Sequence, residues 1–358
     1  MKKILVVGTA VIMAACSSNK QPYVIEGTAP DSTYNGQMVY MQEYEYDQTV
    51  DSAEVIDGKF TFKGVVDTAV IRGLYLSGLY ATLILEKGTI TVDLSNSESA
   101  QGTELNDGLT AYLKKSESYK DSIYHIASEI RQRTDIDDVE AQVQERELFS
   151  SYHDWLDSLS GNLFPANKNN AFGTYILWTW SDVLTSERMD SVYAAAGDIV
   201  RNTKIITTII ERNKNLKQTA EGMPFVDFTI ENGNLDSSKV SFSEYIGKGK
   251  YVLVDFWASW CGSCIQETPV IAEVYNKYKG DKFDVLGVAV GDTRETTLAA
   301  IEKHKMTWSH IIDAKFVPTE IYGINVIPHI ILFAPNGTIV ARNLRGDDLK
   351  AKVAEVLR

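Results

Sequence analysis

Cys261 and Cys264 close the run Tyr251-Val252-Leu253-Val254-Asp255-Phe256-Trp257-Ala258-Ser259-Trp260-Cys261-Gly262-Ser263-Cys264. Two thiols at this spacing form a disulfide with little backbone rearrangement, and a helix beginning at the first stabilises it as a thiolate. The competing chemistry is metal binding. A structural zinc site takes four ligands, but Cys16 is the only other cysteine, and the histidines are scattered. The pair therefore reads as redox-active, with no cofactor and no metal expected beyond the disulfide itself.

The elements that carry this pair begin after Gly222-Met223-Pro224, which punctuates the chain. Two short strands are expected around residues 225–230 and 239–242, joined through Asn232-Gly233. A strand over 251–257 follows, then a helix from Gly262, a strand over 283–290 and a helix over 293–304. The closing run is a strand over 330–333, a turn at Pro335-Asn336-Gly337, a strand over 338–343 and a helix ending near Leu357. Strand–helix alternation ending in an antiparallel hairpin and a helix is α/β sandwich order.

The preceding chain is of two other kinds. Residues 23–100 read as a small all-β domain. Asp57-Gly58 is a hairpin signal ahead of the alternating Lys59-Phe60-Thr61-Phe62-Lys63, and residues 83–94 repeat the strand, turn, strand form. Residues 105–220 read as a helical region. Leu109, Tyr112, Leu113, Tyr119, Ile123, Ile126 and Ile130 recur mostly at threes and fours, as do Leu148, Phe149, Tyr152, Trp155, Leu156 and Leu159. Phe164-Pro165 and Ala171-Phe172-Gly173 are expected to break this run, with further helices over 175–184 and 205–216. Trp155, Trp178 and Trp180 read as core aromatics.

The segment Val254 to Cys264 resembles the thioredoxin active site. Tyr322-Gly323-Ile324-Asn325-Val326-Ile327-Pro328 before Ile330-Ile331-Leu332-Phe333 resembles the thioredoxin segment that carries a cis-proline. The resemblance covers residues 222–358, and Cys264-Ile265-Gln266-Glu267-Thr268-Pro269 narrows it to the TlpA/ResA-like branch of the AhpC/TSA superfamily. It implies a three-layer thioredoxin-like domain in which Cys261 is the attacking nucleophile and Cys264 the resolving thiol. Asp255 matches a buried acid and Glu267 an acidic position of the branch, so two carboxylates stand for one role, the acceptance of the Cys264 proton. Trp260 would shield the disulfide, and Ile327 with Pro328 would offer backbone to an extended substrate. Pro269 would kink the active-site helix. His329 follows Pro328 and points either toward the site or, by alternation, away from it. The β-domain resembles one that precedes thioredoxin-like domains in envelope lipoproteins of Gram-negative anaerobes.

A net charge of −13 gives no electrostatic footing for nucleic acid. At the N-terminus, Lys2-Lys3 precede an apolar run over 4–15, too short to span a bilayer, which has the form of a secretory signal peptide. Met13-Ala14-Ala15-Cys16 resembles a lipoprotein lipobox, which makes Cys16 the expected lipidation site, residues 1–16 the expected leader, and the cell envelope, facing the periplasm, the expected location. The function expected is a tethered thiol–disulfide oxidoreductase that reduces protein disulfides, drawing electrons from a membrane donor protein. Cytochrome c maturation is what the branch suggests. Ile265 stands where a Cys-x-x-Cys-His haem motif needs histidine, so the chain is not expected to carry that haem itself. Two alternatives remain: a partner- or ligand-binding lipoprotein with an auxiliary redox pair, and a peroxidase. The second requires proline and Thr/Ser where Val254 and Ala258 stand.

Overall fold

The computed structural model describes residues 20–43 and 48–358, so Cys16 and the expected leader lie outside the described residues. The chain divides into two compact units, one of Met1–Leu184 with Ala195–Ile206, the other of Thr185–Ala194 with Thr207–Arg358. The helical stretch over 105–220 is thus shared between the units.

The first unit opens with strands β1 (Gln21–Thr28), β2 (Met38–Glu43), β3 (Thr49–Glu54), β4 (Lys59–Val66), β5 (Val70–Leu76), β6 (Leu79–Leu85) and β7 (Gly88–Asp93). They form a three-stranded sheet, β4-β1-β7, and a four-stranded sheet, β3-β2-β5-β6. Ile25, Phe62, Leu74, Leu83 and Ile90 fill the core. Asp57 and Gly58 both take positive φ, at 51° and 72°, as a tight turn with right-handed strand twist demands. The repeat form over 83–94 is not a hairpin: β6 and β7 are consecutive in sequence but belong to different sheets. Helices α1 (Glu104–Gln132), α2 (Asp138–Asn167) and α3 (Ala171–Trp180) follow. The buried Asn106 of α1 donates to the Ile84 carbonyl (2.7 Å) and accepts from the Ile84 N–H (2.8 Å).

Two expectations about this region are corrected. Phe164-Pro165 does not break the helix, because α2 runs on to Asn167. Proline forfeits one bond, to the carbonyl four residues back, and so close to the helix end little remains to disrupt. The restart is at Asn170, whose side chain accepts from the Gly173 N–H at 2.9 Å. Of the three tryptophans, Trp180 is core, whereas Trp155 and Trp178 are half-buried. Trp155 stacks on Tyr119 with ring centroids 4.4 Å apart.

Helices α4 (Ser186–Ala195), α5 (Asp198–Arg201) and α6 (Lys204–Gln218) lead to the C-terminal elements: β8 (Thr229–Ile230), β9 (Val240–Ser241), β10 (Tyr251–Trp257), α7 (Gly262–Tyr278), β11 (Phe283–Ala289), α8 (Arg294–Lys303), β12 (Ser309–Ile311), α9 (Val317–Ile321), β13 (His329–Phe333), β14 (Ile339–Ala341) and α10 (Gly346–Val356). β12 and α9 were not foreseen in the sequence. The sheet order is β12-β11-β10-β13-β14, parallel from β10 through β12 and antiparallel at β10–β13 and β13–β14. Because side chains alternate, each strand feeds both layers. Leu253, Trp257, Ile330 and Leu332 pack with Cys264, Ile271 and Val274 of α7 and with Leu349 and Val353 of α10. Val254, Phe256, Ile331 and Phe333 pack with Phe228, Val240, Phe242 and Tyr322 on the other side. The result is a three-layer sandwich with β10 at its centre.

Candidate active site

Parallel strand β10 ends at Trp257, and four residues later the chain turns into α7 with Cys261 as its N-cap. Cys261 and Cys264 are joined in a disulfide with Cα atoms 5.2 Å apart. The Cys261 sulfur accepts from the Cys264 N–H at 3.2 Å, and the Ser263 hydroxyl lies 3.4 Å from it. Once reduced, that sulfur would face the free amides and positive end of α7, which favour a thiolate. Cys264 is the more enclosed of the two, at 1% exposure against 5%.

The Ile327–Pro328 bond is cis, and the Ile327 carbonyl oxygen lies 3.7 Å from the Cys261 sulfur. The loop therefore faces the disulfide. Trp260 is exposed, with its indole N–H fixed on the Gly291 carbonyl at 2.9 Å. Phe316 and Val326 are likewise exposed. The ring of Phe316 lies over Gly291, where a Cβ would come within 2.8 Å of it.

The two candidate acids sit in different settings. Asp255 is buried in β10, its Oδ1 meets no partner, and desolvation pushes its pKa up to about 7, with Arg345 opposing and Glu267 adding to the rise. Glu267 is half-buried on α7, and its carboxylate accepts from the Gly346 N–H at 2.7 Å, at the start of α10. Burial thus brings the carboxyl of Asp255 toward neutrality, whereas the carboxylate of Glu267 accepts a hydrogen bond. His329 lies on the opposite face of the sheet, where Arg342 donates to its Nε2 at 3.3 Å and burial lowers its pKa to about 3. It is a neutral structural group turned away from the disulfide. Pro269 lies within α7.

Sequence reasoning missed three neighbours. Asp292, just past β11, accepts from the Ser259 N–H at 2.7 Å and from the Thr296 hydroxyl at 2.6 Å, and so pins the segment before Cys261. His310 of β12 leans over Gly287, which pairs with Asp255 in the next strand. Arg345 is within electrostatic reach of both Asp255 and Glu267. Only Asp292 left a trace in the sequence, since an acid three residues past a buried parallel strand sits at the end where such sheets place their sites.

Comparison with known proteins agrees with this geometry. Residues 222–342 match the AhpC/TSA family, and residues 23–109 match a domain of unknown function (DUF4369). The chain is 26% identical over 140 residues to the thiol-disulfide oxidoreductase ResA of Geobacillus thermodenitrificans, covering 38% of this chain and 78% of that one. The C-terminal domain belongs to the ResA-like thiol–disulfide oxidoreductases. Among solved structures, the thioredoxin domain of a thiol-disulfide oxidoreductase from Bacteroides vulgatus is 39% identical, covering 39% of this chain and 99% of that one with a TM-score of 0.35. A thiol:disulfide interchange protein from a Bacteroides species is 40% identical over 38% of this chain and 90% of its own, also with a TM-score of 0.35. In this oxidoreductase domain the disulfide and the cis-proline loop face one another, and the buried acid lies on β10, the strand that leads into the disulfide.

Proposed function

We propose that the protein is an envelope-tethered reductase of protein disulfides, anchored through a lipid on Cys16. The observation that carries the redox part is the Cys261–Cys264 disulfide at the start of α7, facing the Ile327 carbonyl, with Asp255 buried in the strand that leads into it. In the reduced protein the Cys261 thiolate attacks a substrate disulfide, forming a mixed disulfide and expelling one substrate thiolate. Asp255 takes the proton of Cys264, whose thiolate then attacks the Cys261 sulfur. That step closes the Cys261–Cys264 bond and releases the second substrate sulfur as a thiolate. Two electrons pass to the substrate, and a membrane dithiol donor returns them to the protein. Trp260, Ile327 and Pro328 hold the substrate's extended segment.

Apocytochrome c is the substrate we favour, its haem-attachment cysteines needing to be reduced before haem is joined. Among the described residues no helix is long and apolar enough to cross a membrane, so in this reading the tether is the lipid. Palmitate should label the wild type and not Cys16→Ala, and label retained by that variant would remove the anchor. A Cys264→Ala variant should accumulate mixed disulfides through Cys261, with apocytochrome c peptides among them. Cys261→Ser should lose all insulin-reducing activity. Equal activity in that variant would refute the assignment of nucleophile, and trapped partners without haem-attachment cysteines would refute the role in cytochrome maturation.

A further inference from the structure

Arg345 occupies a position that helix physics does not explain. It is the N-cap of α10 and makes no side-chain capping bond. A cation there opposes the helix dipole, which favours acids at the N-terminus and bases at the C-terminus. Its guanidinium is half-buried and donates to the Leu344 carbonyl at 2.7 Å. The backbone fixes where it stands. The Leu344 N–H bonds to the Ile330 carbonyl at 3.2 Å, and Ile330 is the cross-strand partner of Asp255. On its other side, the Gly346 N–H holds the Glu267 carboxylate at 2.7 Å. One residue is thus tied by its two neighbours to the strand position beside Asp255 and to Glu267, and its charge acts on both acids.

We infer that Arg345 is a positioning residue of the resolving step, the counter-ion that sets how readily Asp255 receives the proton of Cys264. This rests on the reading of Asp255 as acceptor. The groups on the Asp255 side of the sheet are Cys264 of α7, which packs with the flanking Leu253 and Trp257, Glu267 of α7 and Arg345 before α10, whose charges act on Asp255, and His310 of β12 across Gly287. His310 is neutral near pH 7, because burial holds its pKa down at about 4. Arg345 is therefore the cation of this set. Its attraction favours the carboxylate that burial disfavours, and without it Asp255 would hold its proton to higher pH.

The test follows mixed-disulfide formation and resolution separately, by stopped flow with reduced protein and a peptide disulfide, at a series of pH values around 7. Arg345→Met keeps the length of the side chain and removes its charge. Its resolving step should rise with pH about one unit later than in the wild type, which is about fivefold slower at pH 7. Formation of the mixed disulfide should be unchanged, and Arg345→Lys should restore most of the lost rate. A merely structural arginine would slow the step without moving its pH midpoint, and that outcome, or equal midpoints in the Met and Lys variants, overturns the inference. Asp255→Asn separates the two levels. If it removes the pH midpoint while Arg345→Met leaves the wild-type midpoint in place, the acceptor stands and the counter-ion falls. If Asp255→Asn keeps the midpoint, Asp255 is not the acceptor and the role of Arg345 falls with it.

Discussion

On one face of the C-terminal sheet, Asp255, Trp257 and His310 each bury a polar atom that meets no partner; on the other, Tyr322, Arg342 and His329 form a closed hydrogen-bonded set. The Tyr322 hydroxyl donates to the Val226 carbonyl at 2.8 Å and accepts from the Val226 N–H at 3.0 Å. Arg342 donates to the Tyr322 carbonyl at 2.7 Å and to the Thr219 hydroxyl at 2.6 Å. The orphans are the more deeply buried groups, Asp255, Trp257 and His310 all being buried where Arg342 and His329 are half-buried, so depth makes their missing partners more costly. Buried polar groups are normally bonded, and an orphan calls for a reason. Three of the five such atoms among the described residues, on Asp255, Trp257 and His310, lie on the face of the sheet that α7 covers. A carboxyl that, in the function proposed, gains and loses a proton cannot be locked into bonds that favour one state, and the fold carries that cost on the face packed against the disulfide helix.

The sharpest way to break this contrast is Asp255→Asn. The folded pKa of about 7 lies above the unfolded value, so the wild type keeps its full stability below about pH 4 and loses some as pH rises to 7. The oxidised Asn variant should therefore be more stable than wild type at pH 8, by at most about 4 kcal/mol, with the gain vanishing near pH 4. Denaturant midpoints at the two pH values measure this, and a pH-independent difference would mean that Asp255 is not strained by its charge. Tyr322→Phe addresses the satisfied face and should act with the opposite sign. It strands the Val226 N–H and carbonyl and should cost about 1–3 kcal/mol at both pH values, while leaving the reduction potential of the cysteine pair unchanged. A shifted potential would show that the two faces are coupled. The smallest effect is expected from Gly291→Ala. Gly291 has φ of +56°, so the added methyl should cost about 1–2 kcal/mol and press on the ring of Phe316. The emission of Trp260, whose indole hangs from the Gly291 carbonyl, should change with it. Unaltered emission would mean that the rim around the disulfide is looser than this hydrogen bond implies.

The site was legible where chemistry and local structure coincide. Cys261, Cys264 and the Ile327–Pro328 pair are rare residue combinations bounded by strong strand patterns, and their placement follows from those strands. Asp255 stood out because a charge inside Val254-Asp255-Phe256 has no surface to reach. Asp292 left only the trace of its place after β11, and Arg345 and His310 gave no signal at all. Each is an ordinary residue in a short or irregular segment, brought to the site by contacts far apart in sequence. β12 was missed for the same reason, since three residues are too few for an alternation to show. In the first unit the pattern predicted strands but not their partners. The jump between sheets at Gly88, with φ of 115°, is a tertiary decision that a strand–turn–strand string does not reveal.

Asn106 has a consequence for how copies of this chain behave toward one another. β6 is the outermost strand of its sheet, and an outermost strand ordinarily presents free amide and carbonyl groups to any extended chain that drifts past. Through its side-chain amide, Asn106 takes both the N–H and the carbonyl of Ile84 and acts as a one-residue strand laid along that border. The border is closed at its apolar middle, beside the fully buried Leu83 and Ile84. An aliphatic residue at 106 would preserve the core and reopen the border as a template on which aggregation can begin.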